Sequence, residues 1–477
     1  MSILSAGGQK AGQQRGRNSW YDSVPFKPAD SKAGLDIGDF TRAGEKRRAK
    51  KLRTVALVAA IYAMVAGGPF GLEDIVRDSG YTRAILVLAV AAIFWALPTG
   101  VMVGKLATAM PKEGGFYIWV SRTLGNFWGF QEAWLTLAGS VFDMALYPTL
   151  FALYIANAWP ALDHGHAVTD LAVGMIVVCV LWNLVGANAV GEGSVGFTLL
   201  VLAPFFVLVV LALMARGPIP LNAVPRAAKP DLLAALAVAM WNNMGWDNAS
   251  TIAEEVERPQ QYMLATLAGV AIVAFTYILP ILAVAKTGLP PSQWRTGAWV
   301  TIAGIFGGNA LALSVMVMGA AAAMSTFNAL VLSLSRVPVA MAKDGYLPRL
   351  LARKTGRGAP GVAVVACAIV WGLSIRLGFE RNLLIDMLLT GSSVILEFAA
   401  LIAWNARNGK RVLGAVALSA CPTALLVAVI VRNGSERIGP ISTLEFGAIL
   451  AGLGVALYLL SAAVRRKSLR APALGGL

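Results

Sequence analysis

The stretch Ala60-Ile-Tyr-Ala-Met-Val-Ala-Gly67-Gly68-Pro69-Phe70-Gly71-Leu-Glu73-Asp74 interrupts the first apolar segment of the chain. Three glycines and one proline within five residues cannot continue an unstrained helix, because proline lacks an N–H group and clashes with the preceding turn. In lipid, the backbone groups that such a break frees must be satisfied by protein, water or ligand. The stretch therefore predicts an unwound helix that lines a cavity. A simple proline kink is the alternative.

A second interruption lies in the sixth apolar segment, at Trp241-Asn242-Asn243-Met244-Gly245-Trp246-Asp247-Asn248. Two interrupted helices at corresponding positions of two halves indicate a transporter built from inverted repeats, with its substrate between the breaks near the membrane midplane. The five-segment separation gives the two halves opposite topology, as this plan requires. We therefore expect Gly67, Gly68, Phe70 and Gly71 of the first break to contact the substrate.

Composition places most of the chain in lipid. Of 477 residues, 57% are hydrophobic and 14% are charged, whereas about a quarter of the residues of a soluble protein are charged. The net charge of +15 comes from basic residues in the tails and in alternate short loops. That distribution indicates membrane topology and attraction to anionic lipid rather than a nucleic-acid partner.

The apolar segments predict an all-α polytopic membrane protein with twelve spans. Their positions are about 54–76, 82–109, 127–157, 168–188, 194–215, 232–255, 262–286, 303–340, 360–376, 383–404, 412–431 and 443–464. The amphipathic segment Gly114–Leu124 predicts a further helix, lying on the membrane surface or re-entrant.

The spans also predict a domain plan. Residues 1–52 form a basic cytoplasmic tail that we expect to be disordered, and 53–405 form a ten-helix transport core with inverted repeats at about 53–215 and 232–405. Residues 406–477 hold helices 11 and 12 and a short tail. Since Lys and Arg concentrate on one side, both termini are predicted to be cytoplasmic, in a plasma or bacterial inner membrane.

The third span carries two carboxylates, Glu132 and Asp143. A carboxylate in hydrocarbon costs about 2.5–3.5 kcal/mol on insertion scales, so such residues usually face a cavity and serve a function. Their separation of eleven residues places them within about 20° of one helix face and roughly 16 Å apart. Asp143 with Tyr147 is the predicted cation site. The alternative is structural hydrogen bonding to neighbouring helices, with Lys105 as a partner for Glu132.

Other acidic residues flank the two breaks. Trp246 and Asp247 in the second break could enclose an amine, and we predict that they bind substrate. Glu73 and Asp74 follow the first break, where they serve either the site or a solvated outer vestibule. Glu254, in the acidic run that reaches Glu257, is either an inner gate or a hydrated helix end.

Coupling to protons requires a carboxyl group that binds and releases protons as its cavity changes exposure. Asp143, Glu132 and Asp247 are the candidates, with Glu73, Asp74 and Glu254 as further coupling or gating candidates. Coupling to Na⁺ is the less favoured alternative and would use hydroxyl groups such as those of Ser325 and Thr326.

Four stretches together resemble the amino acid–polyamine–organocation superfamily, and more closely its plant and protist polyamine-uptake branch. They are GGPFGLED (Gly67–Asp74), PKEGGFYIWVSRTLG (Pro111–Gly125), WGFQEAWLTLAGSVFDMALYP (Trp128–Pro148) and WDNASTIAEEVERP (Trp246–Pro259). The resemblance implies a LeuT-type fold and proton-driven uptake of a polyamine or related amine. The branch carries an acidic residue in its eighth span, whereas Gly319–Asn328 has none here. This departure favours a substrate that is neutral or carries a single charge.

Other functional classes fit the sequence less well. No filter-like motif indicates a channel, and His164 and His166, the two histidines, fall in a predicted loop without a nucleophile or metal motif, so no enzyme, metal or cofactor is expected. The remaining alternative is an amino acid permease or exchanger, whose substrate carboxylate would bind the N–H groups of Gly67, Gly68 and Gly71. Pro69 removes one donor there, which favours an amine substrate.

Overall fold

The computed structural model describes residues 54–112, 114–162, 164, 166–185, 193–215, 229–250, 256–285, 289–355, 359–435 and 437–470. The predictions made for residues 1–52, Glu254 and the last residues of the chain lie outside this part. Within it the regular secondary structure is helical apart from one small hairpin, in which β1 (Arg437–Ile438) pairs antiparallel with β2 (Ile441–Ser442).

Sixteen helices follow one another in the described part of the chain. Their bounds are α1 (Thr54–Val65), α2 (Glu73–Ser79), α3 (Tyr81–Ala91), α4 (Leu97–Ala109), α5 (Gly115–Leu124), α6 (Asn126–Ala158), α7 (Ala167–Val185), α8 (Gly193–Met214), α9 (Leu232–Trp241), α10 (Gln261–Val284), α11 (Ala298–Leu334), α12 (Arg336–Lys343), α13 (Gly361–Ser374), α14 (Phe379–Arg407), α15 (Val412–Asn433) and α16 (Thr443–Arg470). One π-helical turn, Ala92–Ala96, joins α3 to α4.

The helices confirm the predicted all-α polytopic membrane fold. Nine helical stretches of the described residues are long and apolar enough to cross a membrane, and three shorter apolar helices accompany them. Each predicted span has a helix at its position, and the amphipathic segment forms α5. The eighth span differs in detail, because Gly308 has a φ of 63° and divides α11 into two helices across a kink.

The first predicted break is present. The chain leaves helical geometry after Val65 and α2 begins only at Glu73. Gly67, Gly68 and Gly71 have φ values of 60°, 112° and 79°, a region that L side chains rarely adopt. The alternative of a simple proline kink is therefore wrong.

The second predicted break is present as well and lies beside the first. Helix α9 ends at Trp241, and turns continue to Asp247 with Gly245 at a φ of 86°. The Asn242 side-chain amide donates a hydrogen bond of 3.3 Å to the carbonyl oxygen of Gly71. The two unwound stretches are thus joined by a direct hydrogen bond.

Helix α6 is the central element beside the breaks. It is 33 residues long and packs against α5, α7, α11 and α14. Helices α4 and α10 also approach closely, because Gly100 and Gly104 have no side chains where Thr266, Val270 and Met263 pack. Small residues at such crossings let membrane helices make dense contacts. The two glycines therefore let α4 pack directly on α10.

Candidate functional site

A cavity of about 70 Å³ lies between the two breaks and the helices α6, α11 and α14. By the same measure one water occupies about 10–15 Å³, so the space holds roughly five small molecules of that size. Residues from all these elements line it, among them Gly67, Phe70, Thr136, Ser140, Asp143, Tyr147, Tyr154, Trp241, Asn242, Gly245, Asp247, Gly319, Thr326, Asp386 and Thr390.

The structure brings five of the predicted substrate-binding residues to this cavity: Gly67, Phe70, Asp143, Tyr147 and Asp247. The other three, Gly68, Gly71 and Trp246, are not among the lining residues.

Two of those three residues, Gly68 and Gly71, lie against protein side chains. A Cβ atom on Gly68 would lie 2.9 Å from the Phe70 ring, and one on Gly71 would lie 3.5 Å from Leu150 and Trp241. Neither glycine is among the residues that line the cavity.

Trp246 also differs from its expected position. Its side chain is completely buried, and its indole N–H donates to the Asn243 carbonyl oxygen at 2.8 Å. The ring lies against Gly269 of α10, where an added Cβ would be 3.2 Å away. Trp246 therefore packs the second break against α10 and leaves Asp247 to line the cavity.

Asp143 lies in an aromatic setting. The indole N–H of Trp241, the last residue of α9, donates to Asp143 Oδ1 at 3.0 Å, and the Tyr147 hydroxyl also interacts with this carboxylate. The Tyr147 and Trp241 rings are 6.0 Å apart between centroids. A carboxylate beside two aromatic rings suits an ammonium group, which both kinds of group attract.

The structure adds a carboxylate that the sequence interpretation missed. Asp386 of α14 lines the cavity, is 2% exposed, and accepts a hydrogen bond of 2.6 Å from the Thr390 hydroxyl. It lies near enough to Asp143 for their charges to interact. The signal was present in the sequence, because the predicted span 383–404 contains both Asp386 and Glu397.

The ionisable carboxyl groups of the described cavity lining have no basic partner there. Three aspartates, Asp143, Asp247 and Asp386, line it, and none of the lining residues is Lys, Arg or His. In a site of low dielectric, uncompensated carboxylates attract a cation strongly and repel an anion. The cavity therefore favours a positively charged solute.

Glu73 and Asp74 are buried beside the cavity, so they do not form a solvated vestibule in this conformation. The Glu73 carboxylate accepts hydrogen bonds from the Tyr154 hydroxyl and, at 2.9 Å, from the Gly297 N–H. Asp74 forms an ion pair of 2.8 Å with Arg77. We call α2 with these contacts the α2 cover.

The α2 cover also reaches two other elements. Asp74 accepts a 3.2 Å hydrogen bond from Thr296, which precedes α11, and Arg77 lies 3.3 Å from Glu380 at the start of α14. Since Tyr154 lines the cavity, these contacts connect the α2 cover to the cavity wall.

Removing the Tyr154 hydroxyl is expected to loosen the α2 cover. In Tyr154→Phe, Glu73 loses a buried hydrogen bond, which costs about 1–3 kcal/mol. A cysteine placed at Ser140, in the cavity, should then react at least about threefold faster with a membrane-impermeant maleimide, since 0.7 kcal/mol already corresponds to threefold. Tyr117→Phe is the matched control, because its hydroxyl binds Asp344 away from the cavity. Equal labelling rates in the two variants would contradict this role.

Glu132 lies outside the cavity lining. Its side chain is completely buried and accepts a hydrogen bond from the Ser393 hydroxyl. Lys105, the partner considered from the sequence, is exposed, so Ser393 takes that role instead. Glu257 is exposed, four residues before α10 begins, and Glu254 lies outside the described residues.

Thr326 lies directly against the first break. A Cβ atom on Gly67 would be 2.9 Å from the Thr326 hydroxyl oxygen. This contact joins α11 to the first break.

Comparisons with known proteins identify the family of the chain. A family model described as amino acid permease matches residues 53–462. A polyamine transporter of Oryza sativa subsp. japonica is 31% identical over 85% of this chain and 77% of its own. A polyamine transporter of Arabidopsis thaliana is 28% identical over 95% of this chain and 94% of its own.

An uncharacterised transporter of Mycobacterium tuberculosis is also similar, at 26% identity over 87% of this chain and 91% of its own. These relatives are transporters, which agrees with the expectation that the chain is not an enzyme. The family model covers most of the chain, from the first broken helix through the last described one. The chain therefore belongs to the amino acid permease family of the amino acid–polyamine–organocation superfamily, as its motifs predict.

Proposed function

We propose that this protein is a secondary active transporter that moves a polyamine or a related amine across the cell membrane by alternating access, coupled to protons. The observation that carries the proposal is the cavity between the two breaks, where Asp143, Asp247 and Asp386 meet without a basic residue in the described lining. An amine carries the positive charge that this lining lacks.

The aromatic residues support the same substrate class. Trp241 fixes the orientation of the Asp143 carboxylate by its hydrogen bond, and Tyr147 lies one helical turn beyond Asp143. An ammonium group between them would gain a paired carboxylate and a cation–π contact, which is worth about 2 kcal/mol when desolvated. The printed names of the plant relatives, polyamine transporters, favour the same class.

The absence of an acidic residue from the eighth span carries less weight than the sequence suggests. Gly319 lies where a side chain would meet the rings of Phe70 and Tyr154, since an added Cβ would be 2.9 Å from each. Asp386 of α14 supplies a carboxylate to the same cavity. A diamine or triamine therefore remains the favoured substrate.

An amino acid substrate is the second candidate, supported by the family description. Its carboxylate would need the N–H groups of the first break. Pro69 has no N–H, and the Gly71 N–H interacts with the Tyr154 hydroxyl. Because the cavity also presents three aspartates, an anionic group there meets repulsion.

The two adjacent breaks support alternating access, since unwound backbone can change the direction of a helix without loss of its packed halves. We infer that the coupling ion is the proton, because buried carboxyl groups can bind and release protons as their exposure changes. We place both termini in the cytoplasm on the distribution of basic residues.

Uptake into proteoliposomes tests the substrate class. Labelled putrescine or spermidine should accumulate under an inward proton gradient, saturate, and be displaced by unlabelled polyamines but not by neutral amino acids. Liposomes without protein give the background. Saturable uptake of neutral amino acids that polyamines do not inhibit would reject the amine and leave the permease alternative.

A further inference from the structure

Helices α6 and α14 each carry two acidic residues with the same spacing. Glu132 and Asp143 are eleven residues apart on α6, and Asp386 and Glu397 are eleven apart on α14. The helices pack against each other in opposite directions, because Asp143 interacts with Asp386 while Glu132 interacts with Glu397. Eleven residues span roughly 16 Å. The acidic residues therefore form two layers.

The first layer, Asp143 with Asp386, lines the cavity. The second layer, Glu132 with Glu397, is sealed: both side chains are completely buried and neither lines the cavity. Ser393, one turn before Glu397, donates to Glu132 and is 3.2 Å from the Thr136 hydroxyl. Since Thr136 lines the cavity, this hydroxyl pair separates the layers.

The second layer lacks partners for its charges. Neither carboxyl oxygen of Glu397 has a hydrogen-bond partner within the described protein, and the same is true of Glu132 Oε2. Glu397 instead lies where its charge interacts with Glu132 and Asp247. A buried carboxyl group without a hydrogen-bond partner calls for an explanation, and a bound ligand is one such explanation.

The groups that face this pair are acidic or neutral in the described residues. Asp247 approaches from the second break, and the Tyr262 hydroxyl of α10, also buried and unpartnered, interacts with Asp247 and Glu397. The described basic residues of the packed helices α4, α5, α12 and α14 are exposed: Lys105, Arg122, Arg336, Lys343, Arg381 and Arg407.

Two buried carboxylates whose charges interact are strongly unfavourable when both are charged and no cation is present, because each loses its hydration and repels the other. A proton on one carboxyl group removes this repulsion and the desolvation penalty of that group. The smallest ligand that relieves the pair is therefore a proton.

We propose that Glu132 and Glu397 form a proton-binding pair, distinct from the amine cavity, which carries the coupling proton. The inference rests on the proposed proton-coupled transport and names its site. A carboxylate of the pair binds one proton from the side with higher proton concentration and becomes neutral, which permits the sealed conformation. When the pair is exposed to the other side of the membrane, the same proton dissociates and the group becomes a charged carboxylate again.

Glutamine in place of each glutamate tests the pair, since glutamine mimics the neutral carboxylic acid. At zero membrane potential, one proton per amine gives about tenfold accumulation of putrescine for each unit of pH gradient. Glu397→Gln and Glu132→Gln should lose this accumulation and the amine-dependent acidification reported by a pH dye inside the vesicles. Both should keep putrescine counterflow at equal pH within about twofold of the wild-type rate, because counterflow moves no net proton.

Asp386→Asn is the matched control in the cavity and should lose both counterflow and accumulation. Glu397→Asp, which keeps a titratable group, should retain gradient-driven accumulation and guards against a variant that merely folds poorly. Accumulation at the wild-type level in both glutamine variants would overturn the proton pair. Loss of counterflow in Glu397→Gln and Glu132→Gln with retained folding would instead assign the pair to the amine site and also overturn it. Absence of amine counterflow in the wild-type protein would reject the proposed function itself.

Discussion

Asp143→Asn is expected to lower the kcat/KM of amine uptake by about 10 to 150-fold, because a hydrogen bond to a charged group contributes about 1.5–3 kcal/mol. Asparagine keeps the size of the side chain, and its amide oxygen can still accept the bond from Trp241 Nε1. The substitution therefore removes the negative charge and leaves the shape of the cavity. Initial rates of putrescine uptake in proteoliposomes measure the effect.

Asp231→Asn is a matched control for this variant. Asp231 lies outside the cavity at the start of α9, where it accepts hydrogen bonds from the N–H groups of Leu233 and Ala234 at 3.2 and 3.0 Å. Asparagine caps helices about as well as aspartate, so uptake should stay at the wild-type rate. An Asp143→Asn variant with the same rate as Asp231→Asn would show that the substrate cation does not depend on Asp143.

The second prediction concerns the first break. Gly67→Ala is expected to lower uptake about 10 to 100-fold, because displacing groups at a binding site by a fraction of an ångström up to 1 Å has effects of that size. The new Cβ atom would lie 2.9 Å from the Thr326 hydroxyl oxygen, too close without movement of α11 or of the break. Gly67 also lines the cavity, so the substitution adds a methyl group to the cavity wall.

Gly409→Ala separates this clash from backbone strain. Gly409 has a φ of 64°, close to the 60° of Gly67, but nothing lies within 4 Å of its added Cβ. Both variants place an alanine in the left-handed conformation, which costs about 1–2 kcal/mol. Only Gly67→Ala should lose transport. Thr326→Ala in the Gly67→Ala background should restore part of the rate. Equal losses of uptake in Gly67→Ala and Gly409→Ala would show that backbone strain alone causes the effect and would contradict the predicted clash.

Much of the fold could be predicted from the sequence. The apolar segments predicted the positions of the membrane-spanning helices in the described part of the chain. Length and hydropathy are strong signals for such helices. The two breaks were visible because glycine, proline and asparagine stand out inside apolar runs. The kink at Gly308 was not predicted, since a single glycine in a membrane helix is common and only the packing decides whether the chain bends there. The five-plus-five inverted repeat and the domain boundaries remain predictions.

The site was less accessible to sequence reasoning. Asp143 and Tyr147 could be grouped because one helix carries both, and helix periodicity gives their common face. Asp386 and Glu397 lie more than two hundred residues further along, on a helix whose contact with α6 appears only in the folded chain. Trp246 shows the converse: its neighbour Asp247 lines the cavity, but the turn directs the indole towards α10. In a broken helix, side-chain direction follows no fixed period.

An experimental structure of the protein with spermidine bound tests the central claim most directly. The account predicts density for the amine between the two breaks, with one ammonium nitrogen within about 4 Å of the carboxylate oxygens of Asp143 and Asp386, the usual limit for an ion pair. Spermidine bound elsewhere, with the cavity between Gly67 and Asp247 empty, would contradict it.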